Sequence, residues 1–426
     1  MSAVRPGESG ITLSLLSEPA RELTSLLSDH ATRHGVPGAA LGVLRDGVVT
    51  TAVHGVADIR TGEPVTEDTR FAIGSLGKSL LATGLARLAA DARLALDDPV
   101  VAHVPELASA RWADDVTVRD LLANRSRLPL LDRHEFGPFP DEADRVLSRF
   151  AAELATGERT ADFWSYTNAG WCLLGRVLET VSGRLWEDAL RAEILTPLGL
   201  GQTTFVHEPL AEPRATGHRG SQAVEPWTPR CLAPAGSTLL STVGDVLRFA
   251  EAHLSDDALG PLRETHAEVR IYAWLDAWCL GWARFDWPGG LVWGWDGLLP
   301  GYRAILRLDP ERRGAVALLT NGDEGRALYR SRFAELTALP PLLLTPSVGA
   351  ARDLQRFAGE YGWPDRRWTV AVAGDGLRLE GDGLALEAHP LAEGVFLVDA
   401  ESADNPTVTF RDDVLYVMLW GLPRVR

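Results

Sequence analysis

The sequence predicts an α/β (α+β) fold: an antiparallel sheet flanked by helices, an all-α lobe beside it, and a small antiparallel β domain at the C-terminal end. Three observations carry this prediction. β-like runs stand at both ends of residues 1–345 around a long helical stretch, which implies one sheet built from both chain ends. At 426 residues the chain is too long for one simple core. Beyond a linker-like stretch, Pro340-Pro341 to Gly349, the texture changes to short alternating strands. The predicted units are residues 1–345, with a helical lobe at about 95–255, and an accessory β unit at 350–426.

Glu18 to His34 places Leu23, Leu26 and Leu27 on one helical face, with Gly35 as the stop. Ala39 to Leu44 and Val48 to Val53 read as a hairpin around Arg45-Asp46-Gly47. A short extended run, Arg70 to Ile73, ends at Gly74. From Ser75 to Ala90 the apolar residues recur at three and four, a helix that begins at Ser75. The middle is mostly helical: Val118 to Leu122, Glu142 to Leu154, Ala169 to Val181, Trp186 to Ile194 and Val243 to Leu254. Strands return at Leu291 to Gly294, Tyr302 to Leu308 and Gly314 to Leu319, followed by a helix over Glu324 to Ala338. The final unit has strand-like runs at Trp368 to Val372, Leu377 to Glu380, Leu384 to Glu387, Val395 to Val398, Thr407 to Phe410 and Val414 to Leu419.

Composition narrows the function. A formal charge of −16 with no basic block argues against a nucleic-acid surface, and no run is apolar enough to span a membrane. Met1 to Gly10 carries no basic-then-apolar signal pattern, so a cytoplasmic address is expected. Cys172, Cys231 and Cys279 suggest buried small hydrophobes, and the ten histidines form no ligand-spaced cluster, so neither metal nor cofactor is expected. Of 42 cationic side chains 41 are arginine, and the single lysine, Lys78, stands three residues after Ser75. Arginine keeps its proton at any workable pH, whereas a buried lysine can lose it and act as a base. Residues i and i+3 share a helix face, and a serine hydroxyl needs such a base to become a nucleophile.

A second constellation is Tyr166-Thr167-Asn168, just ahead of the helix from Ala169. A tyrosine can relay protons if cations lower its pKa, and an asparagine can hold a lysine amine or a substrate carbonyl. The plainer alternatives are packing for Tyr166 and a helix cap for Asn168. Ser75-Leu76-Gly77-Lys78 with Tyr166-Thr167-Asn168 resembles the serine β-lactamase and penicillin-binding-protein superfamily, in its class C β-lactamase-like branch. Similar segments of that branch are Val116 to Leu122, Ser126 to Pro129, Ala169 to Gly175, Pro197 to Leu200 and Ala235 to Asp245, so the resemblance covers about residues 20–340. The trailing unit is similar to accessory domains on esterases and peptidases of the branch.

Two departures matter. The third motif of the family, Lys or His, one residue, then Gly, here reads Trp295-Asp296-Gly297-Leu298, and Arg127 replaces a glycine of the family. A Trp-x-Gly third motif resembles β-lactamase-like carboxylesterases and acyltransferases of natural-product pathways. It removes the cation that would anchor a substrate carboxylate, which demotes penicillin hydrolysis. The resemblance implies that Lys78 deprotonates Ser75, that Tyr166 relays the proton to the leaving group, and that the N–H groups of Ser75 and of Gly297 or Leu298 hold the oxyanion. Asn168 and Trp295 are then substrate-side residues. The partners implied are a small-molecule acyl donor and an amine or alcohol acceptor, or water. Six tryptophans between Trp274 and Trp295 suggest an aromatic acyl or acceptor pocket, with packing within a sheet as the competing explanation. The alternatives are a penicillin-binding-protein-type thioesterase or peptide cyclase, a D-amino-acid peptidase, and a non-catalytic binding protein on the same fold.

Overall fold

In the computed structural model the chain is described for residues 20–126, 128, 146–156, 163–209, 214–224, 229–269, 275–287, 290–325, 327–328, 353–363, 366–398, 407–417 and 419–425. The linker expected at Pro340 to Gly349, most of the helix expected over 324–338, and Trp274 and Arg127 lie outside these residues.

Along the chain, α1 (Ala20–Arg33) precedes β1 (Gly38–Arg45), β2 (Val48–Asp58), β3 (Glu63–Pro64) and β4 (Phe71–Ala72). A 3₁₀ turn at Gly74–Leu76 runs into α2 (Gly77–Ala90). The helices α3 (Val118–Leu122), α4 (Val146–Leu154), α5 (Asn168–Ser182) and α6 (Trp186–Leu190) follow. Next come β5 (Thr204–Phe205), β6 (Gly217–Arg219), β7 (Gln222–Val224), β8 (Leu239–Ser241) and α7 (Val243–Ser255). The strands β9 (Ala267–Glu268), β10 (Ala277–Trp278), β11 (Ala283–Trp287), β12 (Gly290–Leu299), β13 (Tyr302–Asp309) and β14 (Gly314–Thr320) complete the first part.

Nine of these strands form one antiparallel sheet in the order β3-β2-β1-β14-β13-β12-β11-β10-β9. Early β1 and late β14 sit side by side, with Ala39 facing Thr320, so both ends do build one sheet. Strand β1 is buried on both faces apart from Arg45. Ala39, Leu41 and Val43 meet Leu23 and Leu27 of α1 in one cluster, while Ala40 and Leu44 enter the larger cluster shared with the helical lobe. The alternation follows from the period of two along a strand. Helix α7 was expected in the lobe, but its Val243 and Leu247 side chains lie over Gly42, so it covers the sheet. Small strands β4, β8 and β5 form a three-stranded piece at the lobe edge.

The final residues form an eight-stranded meander in sequence order: β15 (Gly359–Trp363), β16 (Arg366–Ala373), β17 (Gly376–Gly381), β18 (Leu384–Ala392), β19 (Val395–Val398), β20 (Thr407–Arg411), β21 (Val414–Val417) and β22 (Trp420–Pro423). A bridge between Tyr361 and Arg424 nearly closes it. Two of its strands, β15 and β22, were not anticipated, and the run expected from Val414 to Leu419 breaks after Val417 and turns back as β22. Inside, Trp363, Trp368, Phe396 and Leu415 make a separate core. On its outer face Val414 and Tyr416 join the large cluster of the first part.

The turn before α2 is wedged onto β12. A side-chain carbon on Gly297 would lie 1.7 Å from the Ile73 carbonyl oxygen, and one on Gly74 only 2.8 Å from the Leu298 nitrogen. Both contacts are with backbone, so neither can yield by a rotamer change. Gly297→Ala is therefore expected to cost about 3 kcal/mol or more, beyond the usual range for one added methyl. A thermal melt of the variant would show a clear fall in Tm.

Candidate functional site

Ser75 lies in the 3₁₀ turn and Lys78 one turn on in α2. The Lys78 side chain is fully buried. Its Nζ donates to Ser75 Oγ at 3.0 Å and to the Ala235 carbonyl at 2.8 Å. Among the described residues no carboxylate pairs with it, so burial pushes the lysine down to about 7, with an opposing effect from the Cys172 thiol. Near neutrality the amine is half deprotonated and Ser75 can donate its hydroxyl proton to it. Only lysine suits this place, because a guanidinium would stay charged.

The carbonyl partner comes from a 3₁₀ segment, Arg230–Ala235, capped by Gly236 at φ +103°. A Cβ there would sit 1.9 Å from the Gly74 oxygen, so this position is closed to every L side chain on two grounds. Ala235 and Gly236 begin the family-like run Ala235 to Asp245, but nothing in their chemistry marks a backbone acceptor for a lysine.

Tyr166 is buried, two residues before α5, which is capped by Thr167 and not by Asn168. Its phenol is hydrogen-bonded to Ser75 and accepts from Trp295 Nε1 at 3.2 Å. Lys78 Nζ lies 5.0 Å from the centre of the Tyr166 ring. Burial raises the Tyr166 pKa despite these hydrogen bonds. The expected lowering by nearby cations is not found: burial outweighs the hydrogen bonds, and the Asp296 charge adds to the rise. Tyr166 therefore stays protonated, and with Trp295 donating to its oxygen, its own hydrogen is free for Ser75.

Asn168 is half-buried, and its side chain makes no hydrogen bond among the described residues. It does not hold the lysine amine, a place taken by the Ala235 carbonyl. Trp295 is buried on β12 and is both a core aromatic and a donor to Tyr166. Gly297 and Leu298 follow on the same strand, and the Leu298 nitrogen abuts Gly74 beside Ser75. The structure thus brings together Ser75, Lys78, Tyr166, Trp295, Gly297 and Leu298. The tryptophans of this stretch whose side chains are described are held by packing and hydrogen bonds. Trp278 and Trp282 are fully buried, and Trp293 donates to the Arg263 carbonyl. Trp278 meets Trp295 edge-on at 4.6 Å and backs Tyr166 at 5.8 Å.

The Beta-lactamase family model matches residues 23–339. "Penicillin-binding protein 4" of Amycolatopsis lactamdurans is 33% identical over 364 residues, 78% of this chain and 94% of its own. "Unguisins hydrolase ungD" of Aspergillus violaceofuscus (strain CBS 115571) is 24% identical over 79% of this chain and 65% of its own. Among solved structures, SurE superposes with a TM-score of 0.79 at 27% identity, over 95% of this chain and 99% of that one, and has also been solved with D-Leu.

The lysine makes stability pH-dependent in a defined direction. Its folded pKa, about 7, lies below the 10.5 of a free lysine. Between these values the unfolded chain binds the extra proton, so stability rises with pH and is lost as pH falls toward 7, by about 1.4 kcal/mol per unit. Lys78→Met is expected to flatten this slope. Melts from pH 10 to pH 6 should show the Tm gap between variant and wild type widening down to about pH 7 and then levelling.

Proposed function

The chain belongs to the beta-lactamase family of serine hydrolases, and from that premise we propose that it is a serine acyl-enzyme catalyst, an esterase or transacylase acting on a small-molecule ester, thioester or amide of natural-product metabolism. The observation that carries this reading is the desolvated Lys78 amine, 3.0 Å from Ser75 Oγ with a pKa of about 7. A general base works best when its pKa lies near the working pH.

In this reading Ser75 Oγ attacks the acyl carbonyl carbon while its proton passes to neutral Lys78 Nζ. The carbonyl electron pair becomes an oxyanion held by the N–H groups of Ser75 and of Leu298 or Gly297. As the bond to the leaving group breaks, the Tyr166 phenol protonates it, and the Lys78 ammonium returns a proton to the phenolate. The products are the acyl-Ser75 ester and the protonated leaving group. Water or an amine or alcohol acceptor, activated by the same lysine, then takes the acyl group. Asn168, half-buried with no hydrogen bond among the described residues, offers its amide to the substrate. Trp295 carries no charge, which disfavours a substrate anchored by its carboxylate at that position.

A second reading has a specific observation in its favour. SurE has been solved with D-Leu, which supports a peptidyl acyl donor containing a D-residue, cleaved or cyclised. The likeness to an unguisins hydrolase supports the natural-product setting in both cases.

A short-chain nitrophenyl ester is expected to leave an acyl adduct on Ser75 detectable by mass spectrometry, and Ser75→Ala to lose turnover by about 1,000-fold or more. No adduct, together with an unchanged rate in Ser75→Ala, defeats the reading. Added amines or alcohols that divert product from free acid to condensed ester or amide distinguish transfer from hydrolysis.

A further inference from the structure

Just ahead of β22, Leu419 of the C-terminal meander meets the segment that carries Tyr166. Leu419 has φ +87°, a region that leucine rarely occupies. Its carbonyl accepts the Tyr166 amide hydrogen at 3.2 Å. Two residues on, the Gly421 amide donates to Ser165 Oγ at 3.2 Å, and the Gly421 carbonyl accepts from Trp363 Nε1 at 3.0 Å. The Phe163 ring lies over Gly421 and packs on Trp363 with ring centres 5.8 Å apart. From the lobe, Ser165 is tied by its own amide to the Asn124 carbonyl at 3.0 Å.

These contacts fall on residues 163, 165 and 166. The Leu419 side chain packs against the cluster of the first part of the chain, as do Val414 and Tyr416 of the neighbouring strand. A backbone held in an unfavourable conformation persists where its surroundings over-determine it, and such places concentrate at working sites. We propose that the stretch from Leu419 to Gly421 is a positioning device for Tyr166, holding its phenol against Ser75 so that the proton reaches the leaving group. Leu419 and Gly421 are then positioning residues and touch no reacting atom. The proposal rests on the Ser75/Lys78/Tyr166 reading given above. A long side chain amplifies a small backbone shift, and misplacement by about 1 Å can cost about 100-fold in rate.

The experiment reads the dependence of kcat/KM on the leaving group, using acetate esters from nitrophenyl to simple alkyl. A nitrophenolate departs without a proton, whereas an alkoxide requires one. Tyr166→Phe sets the pattern for lost proton delivery: about 100-fold loss on the alkyl ester and less than about tenfold on the nitrophenyl ester. A Cβ on residue 421 would come within 2.8 Å of the Phe163 ring and 3.0 Å of the Trp164 carbonyl oxygen. Gly421→Ala should therefore lift this stretch off the Tyr166 segment and reproduce the steepened dependence. Ser165→Ala, which removes the acceptor without adding bulk, should shift in the same direction by a smaller factor. A folded Gly421→Ala whose losses are equal across the esters, or absent, overturns the proposal. If Gly421→Ala does not fold, Ser165→Ala decides by the same criterion. A wild-type protein that forms no acyl adduct on Ser75 defeats the underlying reading instead, while an adduct with a wild-type slope in both variants defeats this proposal alone.

Discussion

One amine kept dry is the constraint on which the site depends. Lys78 has no carboxylate partner among the described residues, and burial leaves its proton weakly held. The two hydrogen bonds it makes, to a serine hydroxyl and a backbone carbonyl, are to neutral groups. Around it, the start of α2, the 230–236 segment and α5 close so tightly that glycine is required at the contact between Gly236 and Gly74. The same loss of solvent acts in opposite directions on its neighbour: it lowers the lysine and raises the Tyr166 phenol. Two groups with pKa values pushed apart in this way suit a base and an acid within one reaction.

Trp295 fits that division of labour. A cation at this place would stabilise a phenolate and draw Tyr166 back toward ionisation. The indole N–H instead donates to the phenol oxygen without adding charge, and its ring extends the aromatic wall formed with Trp278. In the proposed chemistry the exchange favours a tyrosine that gives protons over one that takes them. What is given up is a fixed positive charge for a substrate carboxylate.

What was legible in the sequence is what short-range chemistry encodes. The i, i+3 relation of Ser75 and Lys78, the periodicity of α2 and α5 and the first hairpin depend on residues near one another. The strands β15 and β22, and β5 and β8 at the lobe edge, were not visible, because a short strand is defined by its partners more than by its own residues. The Ala235 carbonyl is likewise hidden, since every residue has one. Leu419 has no feature of type or spacing that sets it apart, and its place beside Tyr166 exists only once the meander has folded against the lobe. The tryptophan cluster left two readings open for a related reason: indoles bury large areas, and Trp278, Trp282 and Trp295 bury theirs in the core.

The pairing of β1 with β14 carries a consequence for how the molecule comes into being. Ala39 cannot meet Thr320 until most of the chain has been synthesised, and the centre of the large sheet is therefore closed late. Until then β1 and β2 form a hairpin whose apolar inner edge lacks its neighbour, the kind of exposed edge that invites association with other chains. Pairings this distant in sequence carry a large loop-closure entropy and slow the search for the native state. The residues that carry Ser75 and Lys78 are thus synthesised well before β12, whose Gly297 and Leu298 lie against Gly74. Until β12 has been made, the turn that holds Ser75 lacks the backbone it is wedged against.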